Sequence, residues 1–138
     1  MDIFQVLNGF CVSMGRALYG AIFEKAMDIP AQKIPEVFES YIQALEMLNT
    51  FDTGKYGVSC KLAPDEYHFL NLRAGGIIEG ERCCTRVLSG DFQALEECRG
   101  FTWMDYRLDE MIKNSLYCAY FEKTNRDLLE DSDFFTDK

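Results

Sequence analysis

Apolar side chains recur along the first 27 residues at Ile3, Leu7, Phe10, Met14, Leu18, Ile22 and Met27, close to the period of one helix face. The flanks of that stripe are apolar too, so the predicted helix over 2–27 touches something on most of its circumference. Gly9, Gly15 and Gly20 weaken a helix interior, and their use there would be the close approach of a partner helix, from this chain or a second copy. Pro30 ends the segment, and Pro35 suits the first turn of the next helix. Val37, Phe38, Tyr41, Ile42, Leu45 and Leu48 mark that helix, which ends near Asn49.

The period then changes. "TFDTGKYG" reads as a loop, and "YGVSCKL" alternates, with Tyr56, Val58, Cys60 and Leu62 on one face and Gly57, Ser59 and Lys61 on the other. Pro64 and Asp65 supply a turn, and "YHFLNLR" returns as a second strand, which predicts an antiparallel hairpin near 56–72. Ile77, Ile78, Glu81, Cys84 and Leu88 fit a helix despite Gly80. The stretches "FQALEEC" and "FTWMDYRL" read either as two strands joined at Arg99-Gly100 or as pieces of helix. A last helix runs from about Asp109 to Glu130, with Met111, Ile112, Ser115, Leu116, Ala119 and Tyr120 along one side. The tail over 127–138 mixes acid with Leu and Phe, a composition that frays or docks. The expected fold is α+β: one globular domain over 1–138, mostly helical, with a small antiparallel sheet near 56–72 packed against long N- and C-terminal helices.

Composition narrows the function classes. A chain of 138 residues buries roughly 70% of its unfolded surface, enough for a core without staples. Hydrophobic residues at 48% and aromatics at 14% exclude a disordered chain. The net charge of −9 is spread as −3 over 1–49, −2 over 50–99 and −4 over 100–138, and no basic stripe offers itself to phosphates. Direct nucleic-acid binding is therefore disfavoured, whereas a protein partner of basic character fits. Ile3 to Phe23 approaches the length of a membrane span with only Arg16 charged. Asp2, Gln5, Asn8 and Ser13 argue against a span or export signal, and an arginine near the centre costs about 2.5 kcal/mol or more in a bilayer. A cytoplasmic, intracellular protein with reduced thiols is the expectation.

Cys83, Cys84 and Cys98 lie close together, but no paired C-x(2–4)-C unit of a structural zinc site occurs. Adjacent cysteines project about 100° apart on a helix or to opposite faces of a strand, so Cys83 and Cys84 do not serve one ion, and one of them should be partly exposed. A pairing of His68 with Cys83, Cys84 or Cys98 stays open, without a local signature to support it. Cysteines acting as small buried hydrophobes, with no metal, disulfide or cofactor, are expected.

"MGRALYGAIFEKAM" at 14–27, the small-residue helix start at Ala74–Gly80, and Glu96, Cys98 and Gly100 occur in an order that resembles the 4-vinyl reductase domain, which shares its fold with subunits of the TRAPP vesicle-tethering complex. The resemblance covers most of residues 10–110. It implies an α+β domain that binds a small apolar ligand and often pairs with a second copy. Some family members resemble zinc binders with an E-x-x-C arrangement; here Glu96 and Cys98 form E-x-C, and Trp103 or Tyr106 stands where a later cysteine would be.

Two function classes follow. The first is a non-enzymatic interaction domain: an acidic adaptor, subunit or inhibitor working through an apolar helix. It predicts a homodimer or obligate partner with Phe10, Met14, Leu18 and Ile22 at the interface. The alternative is a sensor that binds a small apolar ligand with Tyr19, Phe23, Phe69, Cys98 and Trp103. No acid–base pair or activated nucleophile can be named, so no catalytic residue is expected.

Overall fold

The computed structural model describes residues 1–96 and 107–132, and every regular element among them is helical. The α+β fold, with its hairpin near 56–72 and the sheet implied by the 4-vinyl reductase resemblance, is overturned: two helices, α4 (Phe51–Ser59) and α5 (Glu66–Glu79), occupy that region. Helical starts decide the matter. The Thr50 hydroxyl accepts the Thr53 N–H at 3.1 Å, and the Asp65 carboxylate accepts the His68 N–H at 2.9 Å, so both are N-caps. Thr53, Tyr56 and Gly57 of α4 and its C-cap Cys60 turn inward, which is helical spacing, while Val58 faces outward.

The N-terminal segment is not one helix. The short α1 (Ile3–Leu7) starts in a capping box between Asp2 and Gln5. Gly9 then adopts φ +92°, open to glycine at little cost. A 3₁₀ turn at Val12–Met14 follows before α2 (Ala17–Met27) begins. The predicted helix near Pro35 is present as α3 (Ile34–Met47) with that proline in its first turn. The region 74–88 is helical but divided: α5 ends where Gly80 takes φ +119°, and α6 (Glu81–Leu88) follows. A short α7 (Gln93–Glu96) follows. The long α8 (Leu108–Thr124) stops at Asn125 in the left-handed region, whose N–H returns to the Phe121 carbonyl at 2.8 Å.

The α2 helix packs chiefly on α8, which also meets α3 and α5; α1 closes against α3, and α6 and α7 stack beyond α5. The tail docks through α9 (Leu128–Asp131), where Leu128 is buried and the Tyr120 hydroxyl donates to Asp131 at 2.6 Å. No described helix is long and apolar enough to cross a membrane.

One polar node joins three helices inside the core. Asp109, 4% exposed, lies in the first turn of α8, where the helix dipole favours a negative charge. Its Oδ1 accepts the Tyr41 hydroxyl of α3 at 2.6 Å, its backbone N–H donates to Asn71 Oδ1 of α5 at 3.0 Å, and Lys113 Nζ stands 3.2 Å from Oδ2. Burial first, then the Asp109 charge, drives the Tyr41 pKa well above the ordinary tyrosine value. A second buried polar group, Arg73, is 7% exposed. Its guanidinium donates to the Leu45 carbonyl at 2.8 Å near the C-terminus of α3 and lies 4.5 Å from the centroid of the Phe69 ring. Burial lowers its pKa, against the charges of Glu46 and Glu66.

Candidate functional site

The α4 helix is assembled the opposite way round from an ordinary surface helix. Its buried positions are Thr53 and Gly57. Two of its apolar residues point away from the body: Phe51 is 81% exposed and Val58 59% exposed. Few side chains tie it down. Gly57 lies against Ala63 and Leu72. The Tyr56 ring stacks 5.3 Å from that of Phe92, and its hydroxyl donates to Glu96 at 2.7 Å. The Glu96 carboxylate raises the Tyr56 pKa by holding the proton on the phenol.

Between α4 and the start of α5 runs an open groove of about 790 Å³. Phe51 and Val58 form one wall, Ala63 and Pro64 the end, and Phe69 the floor. Phe69 is itself buried at 8% exposure, and Gly54 lies beside it, where a Cβ would meet the ring in ordinary contact at 3.7 Å. The rim is charged, with Lys55 on the α4 side and Asp65 and Glu66 on the α5 side. His68, the chain's one histidine, sits just outside, with Nδ1 2.7 Å from Asp65 Oδ1. The His68 backbone N–H and then its ring lower the Asp65 pKa.

A second cavity of about 470 Å³ lies between α1 and the α5–α6 joint. Its most inward carboxylate, Glu79, already accepts the Val12 N–H at 2.7 Å, which pins the turn after α1 to α5.

The structure divides the residues expected at a ligand site. Phe69 lies in the groove; Tyr19 and Phe23 stand on α2 and do not line it; Cys98 and Trp103 fall outside the described residues. Of the expected interface residues, Leu18 and Ile22 are buried in the chain's own core, and Phe10 and Met14 are half-buried against it. The apolar circumference of the N-terminal segment is thus covered largely within the chain, above all by α8.

Both Cys83 and Cys84 are buried, in place of the predicted one. They diverge as expected on a helix, but α6 has neighbours on two sides. The Cys84 thiol reaches toward the Gly76 carbonyl of α5 at 3.6 Å, and Cys83 toward the Ala94 carbonyl of α7 at 3.9 Å. Burial pushes the Cys84 thiol up to about 12, helped by Cys83 and Glu81, which leaves little thiolate. His68 is about two helical turns away from Gly76 along α5. Among the described residues no cluster of three or more His, Cys, Asp or Glu is arranged to hold a metal ion.

The fold and groove define a small acidic helical module with an apolar trough at its periphery. No family model matches the chain, and neither a curated protein nor a solved structure is significantly similar to it.

Proposed function

We propose that this chain is a non-enzymatic interaction domain that binds an apolar segment of a protein partner in the α4–α5 groove. One observation carries the reading: the inverted helix α4, with Thr53 and Gly57 inside and Phe51 and Val58 outside. A lone exposed apolar residue is ordinary. Two on one helix face, a helical period of seven apart and facing an apolar trough, form an anchor set for an incoming helix. Full burial of each anchor supplies about 1.5–3 kcal/mol, about 3–6 kcal/mol for the pair before the costs of association, which points to weak binding in the high-micromolar to millimolar range.

The test uses an amphipathic helical peptide of about 18 residues, long enough to hold its own helix, with leucines along one face and a fluorophore at one end. Binding by anisotropy should map by NMR shifts onto α4 and the start of α5. Changing Phe51 to serine, at a position too exposed to unfold the chain, should weaken binding about tenfold. A peptide that fails to bind, or shifts that lie elsewhere and ignore Phe51→Ser, refute the proposal.

A further inference from the structure

We infer that the occupant of the groove is a basic amphipathic helix of a different protein, seated with its Lys or Arg edge against Asp65 and Glu66; this rests on reading the groove as a docking site. The trough gives the shape. From Phe51 to Val58 is two helical turns, so it offers room for anchors at i, i+3 or i+4, and i+7 of one helix.

Charge complementarity chooses among helices. Two carboxylates face a single ammonium across the rim. Both are exposed at the groove's edge, so their pull on a cation is screened by salt. Glu66 is the more available of the two, because Asp65 Oδ1 is taken by the backbone and ring of His68. An acidic helix would place its charges against both. A second copy of this chain is disfavoured for the same reason: each carries −9, and like charge opposes their approach. A basic partner is instead drawn in by the whole chain and oriented by the rim.

Two peptides with the same leucine face decide the matter, one with lysines flanking that face and one with glutamates. On the wild-type chain at physiological salt, the lysine peptide should bind about five- to tenfold more tightly, with the gap narrowing as salt rises. Phe51→Ser should weaken both peptides. Glu66→Lys should erase or reverse the preference, although the chain keeps most of its negative charge. Equal binding of the two peptides, or a preference that survives Glu66→Lys, overturns the basic-edge inference and leaves the docking groove standing. Failure of both peptides to bind in the groove removes both. A wild-type chain that dimerises in sedimentation, and ceases to do so on Phe51→Ser, replaces the foreign helix by a second copy and also overturns the inference.

Discussion

Replacing Tyr41 by phenylalanine should destabilise the protein far more than the loss of one oxygen suggests. The ring stays and no cavity opens, so only the hydroxyl bond to Asp109 is removed. That bond is 2.6 Å long, is buried and ends on a carboxylate. Hydrogen bonds to charged groups contribute about 1.5–3 kcal/mol, and the remaining carboxylate is left under-solvated. Unfolding entropy near about 2.1 cal/mol/K per residue gives roughly 0.29 kcal/mol/K for 138 residues. The melting temperature should therefore fall by about 5–10 °C. Differential scanning calorimetry and urea unfolding measure the two quantities. A double-mutant cycle with Asp109→Asn should return a coupling of about 0.5–3 kcal/mol, because the two groups are in contact. The alkaline limb gives an independent check. The folded-state pKa of Tyr41 is raised, so its contribution is complete below the ordinary value of 10.0. It is lost as pH rises, because the unfolded chain ionises first. Tyr41→Phe should flatten part of the stability decline above pH 10. A variant within about 0.5 kcal/mol of wild type, with an unchanged alkaline limb, would refute the view that this node ties α3 to α8.

Two glycines should respond in opposite directions. At Gly57 a methyl group would meet Ala63 Cβ at 3.2 Å and Leu72 Cδ2 at 3.6 Å; crowding outweighs the gain in helix propensity, and Gly57→Ala should lose about 1 kcal/mol in urea unfolding. At Gly20 nothing lies within 4 Å of the added carbon, so Gly20→Ala should gain about 0.5–1 kcal/mol by the same assay. The docked tail should loosen in acid. Arg126 and then the Tyr120 hydroxyl hold the Asp131 pKa at about 2, below its usual 3.8. Their support of α9 is therefore present above pH 3.8 and lost as pH falls through about 2, which Leu128 methyl shifts across an acid titration would follow.

The sequence pattern carried the long elements and failed where a helix buries small residues. Pro35 and the stripe from Val37 to Leu48 define α3, and the stripe from Met111 to Tyr120 defines most of α8, because in both the inward residues recur at helical spacing over several turns. Around residue 57 the inward side chains are Thr53, Gly57 and half-buried Tyr56 and Cys60. A glycine that permits close approach has the same look as a polar outward position, so seven residues of chance alternation resembled a strand. Pro64-Asp65 suits a turn and a helix start equally. The following residues hold the distinction, since Phe69, Leu72, Gly76 and Ile77 are buried at helical spacing. The cysteines show another limit. Spacing fixes the angle between Cys83 and Cys84, but not how many neighbours a helix has, and α6 has enough to bury both.

The groove was hidden by the same inversion. Phe51 falls in a stretch that reads as a loop, and Val58 reads as sharing a strand face with Tyr56, Cys60 and Leu62, so neither looked like part of an exposed helix face. Thr50 at the cap and Asp52 in the first turn were the available signals that a helix starts there. Once α4 is a helix, its energetics are unusual. It has glycine at two of its nine positions, each a cost in helix propensity. It buries only Thr53 and Gly57 and keeps its largest apolar side chain in water. A helix selected for stability alone would carry these properties the other way round: apolar residues toward Ala63 and Leu72, polar residues outside. Gly57 brings α4 close to the body, and Gly54 leaves space beside the buried Phe69 ring. Together they form a trough that a larger residue at position 54 would fill. The stability forgone in α4 and the shape gained beside it come from the same two residues, and this coincidence makes a docking surface the more economical explanation of the helix than poor packing.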